Sequence, residues 1–219
     1  MKVKKCLGVY LTERSFALAL VENKGQENLV KCLHWEKINL GLDEPEEVRF
    51  AYLTKRIKEV MKEKSLKVRH AVFSISGMNV FNRRRKLPNV PNHQMKGIVR
   101  YEAFQIIPFP PNQIQLEFCA NRSHSEPETD VWIMAIKKDA IALLLQRVRK
   151  IGLKLVKLEV SSVSLFNMGI VDEEESASNE TVAFVHMGLS AIDISIGSSQ
   201  GLGFTRSAPY AGTEVAKVL

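Results

Sequence analysis

Cysteine is scarce in this sequence. The three residues present, Cys6, Cys32 and Cys119, are odd in number and widely spaced, which argues against a disulfide framework and against a zinc site, and points to a reducing, cytosolic compartment. Long apolar runs are also missing. None reaches about 18 residues, so no transmembrane helix is expected. Lys2, Lys4 and Lys5 open the chain as a secretory leader would, but Thr12, Glu13 and Arg14 interrupt the apolar stretch that export needs. The five histidines, His34, His70, His93, His124 and His186, show no metal-ligand spacing. Neither a Ser/His/Asp set, a phosphate-binding P-loop nor a dinucleotide fingerprint is present, so no metal and no catalytic residue is expected.

What is present is an ordinary globular composition. With 219 residues, 45% apolar and 25% charged, the chain is long enough to bury a sizeable core. The net charge of +7 favours acidic partners without choosing among anionic lipid, nucleic acid and acidic protein. Its densest basic run is Arg83-Arg84-Arg85-Lys86. Without interleaved aromatics for base stacking, that run argues against nucleic acid; an anionic membrane surface and a solvated strand edge both remain open.

Hydrophobic periodicity sets the order of elements. Residues 3–11, 15–22 and 29–38 alternate as three strands, the last two joined by the turn signal Asn23-Lys24-Gly25. A helix over 45–64 follows, opened by Pro45 and Glu residues, with Phe50, Leu53, Ile57 and Val60 spaced as one core-facing stripe. The run Ala71-Val72-Phe73 within 68–76 reads as a buried central strand. Beyond Gly77 the pattern predicts strands over 80–87, 114–120 and 131–136, and helices over 94–106 and 139–151, the second stopped by Gly152. A strand over 154–160 and a helix over 161–168 lead to an acidic, polar linker at 172–180. Three further strands, 181–187, 191–196 and 201–206, repeat the opening pattern of consecutive strands and short turns.

One segment is distinctive. In Arg100-Tyr101-Glu102-Ala103-Phe104-Gln105-Ile106-Ile107-Pro108-Phe109-Pro110 the prolines force the helix to end by Ile107 and hold Phe109 extended. This segment resembles the helix and Ile-Pro-Phe-Pro turn of the PilM family of type IV pilus assembly proteins. Similarity extends to Ala71–Gly77, to Glu159-Val160-Ser161-Ser162 and to Tyr210-Ala211-Gly212-Thr213, so it covers essentially the whole chain. The family has the actin-like, ribonuclease-H-like fold and is related to FtsA and to type II secretion protein L cytoplasmic domains.

The resemblance implies an α/β fold with mixed sheets. Residues 1–76 and 153–172 would form the first actin-like subdomain, 77–152 an inserted subdomain, and 180–219 the start of an incomplete second lobe. Family members continue for on the order of a hundred residues more, so truncation is expected, with apolar surface covered by another chain. The resemblance further implies a cytoplasmic protein held at the inner membrane by a PilN-like partner. A pilus assembly ATPase and further inner-membrane pilus proteins are additional partners it suggests. Tyr101, Gln105, Ile106 and Phe109 are the candidates for receiving the partner's tail, although the same corner has a purely structural reading as a packed helix end.

Nucleotide binding is where the sequence departs from the family. Its first phosphate turn, Gly-Ile-Asp-Ile-Gly-Ser-Ser-Ser-Val-Lys, is matched here by Gly8-Val9-Tyr10-Leu11-Thr12-Glu13-Arg14-Ser15-Phe16-Ala17. Tyr10 replaces the acid, Thr12 the second glycine and Ala17 the lysine. The second turn, Val-Asp-Ile-Gly, is Val185-His186-Met187-Gly188, and imidazole suits Mg²⁺ poorly. Gly8, Ser15, Gly188, Ser190 and Gly212 match the family, either as vestiges of a cofactor site or because tight hairpins need them. No cofactor and no hydrolysis are expected, with ATP and Mg²⁺ binding left open; a divergent, slow ATPase is the alternative.

Overall fold

The computed structural model describes residues 4–25, 27–41, 43–121, 127–173 and 180–209. In chain order its first elements are β1 (Lys5–Leu11), β2 (Ser15–Asn23), β3 (Asn28–Lys37), α1 (Glu46–Glu63), β4 (His70–Ile75), β5 (Phe81–Pro88) and α2 (Asn92–Ile106). They are followed by β6 (Ile114–Asn121), β7 (Glu128–Lys137), α3 (Lys138–Ile151), β8 (Lys154–Val160) and α4 (Ser161–Glu173). The last strands are β9 (Val182–Met187), β10 (Ala191–Ser198) and β11 (Gly201–Pro209).

The largest sheet has the order β3-β2-β1-β4-β8. Its first three strands form an antiparallel meander, while β4 and β8 run parallel to β1 after helical crossovers. Alternation along the strands places Leu7, Val9, Phe16, Leu18, Ala71 and Phe73 on one face, each at most 2% exposed. Ile57 and Val60 of α1 close over them. α3 packs beside α1, and its Leu144, Val148 and Ile151 enter this same core. The sequence reading placed α3 within 77–152, but its apolar stripe belongs by packing to the large sheet. Gly152 ends α3 at φ 95°, the left-handed cap its sequence position suggests.

A second sheet, β5-β7-β6, is antiparallel throughout. α2 lies on one of its faces through Met95, Val99 and Ala103, against Val131, Ile133 and Ala135 of β7. The proline corner stops α2 as expected: Ile107 is already extended, at φ −91° and ψ 121°.

The third sheet, β11-β10-β9, is also antiparallel. α4 runs five residues past Met168 and connects it to the large sheet, packing Phe166 edge-on against Phe184 with ring centroids 6.1 Å apart. That approach needs Gly169, since a Cβ there would fall 2.0 Å from the Phe184 ring. The linker expected from residue 172 does not begin there: α4 includes Asp172 and Glu173, and residues 174–179 lie outside those described.

Two glycine substitutions separate close packing from helix propensity. Gly169→Ala is expected to lower stability in chemical denaturation by about 1–3 kcal/mol, the cost of overpacking outweighing the gain in propensity. Gly97→Ala in α2, where an added Cβ meets nothing within 4 Å, is expected to raise stability by up to about 1 kcal/mol.

Candidate functional site

The two expected phosphate turns lie at the β1–β2 and β9–β10 hairpins, and the strands that carry them meet through side chains. At the first, Thr12 organises the turn. Its hydroxyl accepts from the N–H groups of Arg14 and Ser15 at 3.2 and 2.9 Å and lies 3.0 Å from the Ser15 hydroxyl. The turn carbonyls are occupied as well: Glu13 accepts from the Arg49 guanidinium at 3.0 Å and Arg14 from the Ile38 N–H at 2.7 Å. A turn that cradles phosphate aims its amides at the ligand. Here two of the turn amides are satisfied internally, by Thr12, at the position where the resemblance implied glycine.

At the second turn, Gly188 N–H donates to the Ala191 carbonyl at 2.9 Å. A Cβ on Gly188 would sit 3.0 Å from that carbonyl oxygen, so the tight turn itself accounts for the glycine. Gly8 is different: a Cβ there would make only ordinary contacts with Ala19, at 3.6 and 3.7 Å. The Ser190 hydroxyl oxygen is buried without a hydrogen-bond partner. Gly212 lies outside the described residues.

Between the turns, Tyr10 and His186, the two positions at which the resemblance implied acids, touch each other. The Tyr10 ring of β1 meets the His186 ring of β9 edge-on, with centroids 5.7 Å apart. Behind His186 stands Asp193 of β10, 3.5 Å from Nδ1 and only 1% exposed. Ser161 at the start of α4 donates to the Asp193 carboxylate at 2.8 Å, and Ser207 of β11 donates to its other oxygen. Burial pushes the Asp193 carboxyl up, but hydrogen bonds from His186, Ser207 and Ser161 outweigh it and hold the group below its ordinary value. Burial, and then the Asp193 charge, push the Tyr10 phenol up to about 12. A buried hydroxyl chain continues the network, with Ser195 donating to the Ser162 carbonyl at 2.6 Å and Thr205 to the Ser162 hydroxyl at 2.8 Å. Sequence reasoning missed Asp193. The signal was there in Ala191-Ile192-Asp193-Ile194-Ser195-Ile196, where Asp and Ser recur with period two against isoleucine.

The partner candidates do not all share one surface. Tyr101, 66% exposed, and Gln105, also exposed, are one turn apart on the outer side of α2. Ile106 and Phe109 are instead half-buried against the core beneath α2, and Lys137 Nζ lies 4.5 Å from the Phe109 ring centroid. Phe104, 40% exposed, joins Tyr101 outside, with the Arg100 guanidinium over its ring. In the basic run, Arg84 grips Asp130 with two hydrogen bonds of 3.0 and 2.5 Å and donates to the Gly203 carbonyl at 2.9 Å. Trp132 reinforces that contact, its Nε1 donating to the Leu202 carbonyl at 2.8 Å. The inserted sheet is thereby tied to the β10–β11 hairpin.

A ribonuclease-H-type sheet, an inserted sheet–helix unit and a second sheet entered through a connecting helix define an actin-like ATPase fold. Similar architecture occurs in a chain of a PilM–PilN type IV pilus biogenesis complex, with TM-score 0.84 and 23% identity over 99% of this chain and 65% of that one. It occurs in the cytoplasmic domain of EpsL, an inner-membrane component of the Vibrio cholerae type II secretion system, with TM-score 0.57 and 12% identity over 98% and 74%. A Bacteroides thetaiotaomicron protein with actin-like ATPase fold is similar at TM-score 0.52 and 13% identity over 97% and 73%. No curated protein matches the sequence. The family model for type IV pilus assembly protein PilM matches residues 8–219, and the chain belongs to that family. It spans 65% of the length of the PilM–PilN complex chain.

The Asp193 node makes a pH-dependent prediction. A carboxyl whose pKa is depressed by folding contributes stability that is fully present above its unfolded pKa and is lost as pH falls through the folded one. Asp193→Ala is expected to cost about 2–4 kcal/mol near neutral pH, because the buried Ser161 hydroxyl and the half-buried Ser207 hydroxyl lose their acceptor. Denaturation measured against pH should show a smaller loss of stability below the ordinary carboxylate range in the variant than in the native chain.

Proposed function

We propose that this chain is an actin-like scaffold of type IV pilus assembly, with type II secretion as the related setting, whose nucleotide site no longer supports hydrolysis. It works at the cytoplasmic side of the inner membrane, held there by a PilN-like protein whose amino-terminal tail docks on the α2 and Pro108–Pro110 region of the inserted unit. The observation that carries the pseudo-ATPase reading is the contact of Tyr10 with His186. These side chains stand where Mg²⁺-positioning acids would be needed, and neither a phenol held up at about 12 nor an imidazole is a suitable oxygen ligand for that hard cation. Thr12 adds to this by taking two amides of the first turn. Asp193, the nearby acid, is committed to three donors.

The docking reading is supported by family membership and by the exposed aromatic pair Tyr101 and Phe104, large apolar side chains that a partner would desolvate. Half-buried Ile106 and Phe109 shape the floor of that region. The reading of a divergent ATPase has one observation in its favour, the unpartnered Ser190 hydroxyl beside Gly188.

Two assays test the two halves separately. Isothermal titration with a PilN-like amino-terminal peptide should show binding that Tyr101→Ala weakens roughly tenfold, the loss of one aromatic anchor; absence of binding contradicts the docking site. Phosphate release from ATP and Mg²⁺ should stay at background, whereas turnover abolished by Gly188→Val would favour the ATPase.

A further inference from the structure

We propose that β5 is a docking edge at which an extended, acidic segment of a partner protein adds as a fourth strand to the inserted sheet, a site separate from the α2 surface. The sheet order β5-β7-β6 leaves β5 at the margin, bonded to β7 alone. Among the described residues no backbone hydrogen bond reaches its other side, so alternate residues of this eight-residue strand, those not bonded to β7, turn their main-chain groups outward.

The side chains on that row specify the charge of the partner. Arg84 is neutralised by Asp130, but Arg83 and Arg85 are not. The Arg83 guanidinium lies 4.9 Å over the Phe81 ring and donates only to the Asn82 carbonyl, and Arg85 donates only to the Arg84 carbonyl. Lys86 is exposed beside them. Among the described residues these three cations have no carboxylate within ion-pair distance. A cationic edge repels a second copy of itself and attracts a strand of alternating acids.

Geometry favours a strand over a flat anionic surface. Phe81 and Leu87, on the same side of β5 as Arg83 and Arg85, belong to the core beneath α2. Arg84 pairs in register with Trp132, whose side holds the β10–β11 hairpin. The cations therefore project to both faces of a sheet flanked on each face by another element. A bilayer meets one face at a time, whereas an added strand lies in the plane of the sheet and presents alternate carboxylates to both.

The test uses the whole chain and a fluorescent peptide of alternating Glu and Val, with three comparators: Lys in place of Glu, alternate backbone N-methylation, and phosphatidylglycerol vesicles. The expected result is saturable binding by the acidic peptide alone, with slowed amide exchange in 81–88. Arg83→Gln combined with Arg85→Gln should weaken it roughly tenfold or more while leaving binding of the PilN-like tail unchanged. No binding overturns the proposal, as does equal binding by the N-methylated peptide, or vesicle binding that the double substitution removes. The peptide comparisons are made on the native chain, so they decide the question even if the double variant fails to fold.

Discussion

A carboxylate buried in a strand between isoleucines loses several kcal/mol of hydration unless every oxygen is answered, and Asp193 is answered from three directions. Ser161 comes from the start of α4, directly after the last strand of the large sheet; Ser207 comes from β11 and His186 from β9. One charge thus collects donors from the connecting helix and from both flanking strands of the third sheet. The hydroxyls of Ser195, Thr205 and Ser162 extend the same interface, leaving α4 little freedom to slide on that sheet. The apolar half of the contact, Phe166 against Phe184 and the close approach at Gly169, then acts on an orientation the polar half has already specified.

That junction determines what stands between the hairpins. His186, within ion-pair distance of Asp193, meets the Tyr10 ring in an edge-to-face contact. On the proposed reading, a place where related proteins bring acids, metal and phosphate together has become a contact between side chains. The inserted sheet is tied to the same lobe by Trp132 and Arg84. A scaffold benefits from such bracing, because a partner then meets a surface already in its bound shape and less ordering opposes association.

Much of the architecture was legible because it rests on local chemistry. Period-two alternation in β1, β2 and β4, the proline corner after Ile107 and the left-handed cap at Gly152 each follow from properties of one short stretch. α3 was harder: its apolar stripe was visible, but a stripe does not say which sheet it covers, and only packing assigns Leu144 and Val148 to the α1 side. The length of α4 is not legible because Asp172 and Glu173 read as the start of an acidic linker. Among site residues, Tyr10, Thr12 and His186 draw notice in the sequence only through the resemblance, as departures from the pattern it implies. Asp193 does not, since its significance arises from Ser161 and Ser207, which are distant in sequence. The run at Arg83 looked uniform in sequence, but the fold divides it into one paired arginine and neighbours without a carboxylate.

On the proposed reading, Tyr10 and His186 form a fixed contact where the metal of a bound nucleotide would sit. NMR detection of the cross-relaxation between the two rings, followed through a titration with ATP and Mg²⁺, tests it most directly. The account predicts that the contact is present in the free chain and unchanged at saturating nucleotide. Its saturable loss as ATP and Mg²⁺ are added would contradict the account.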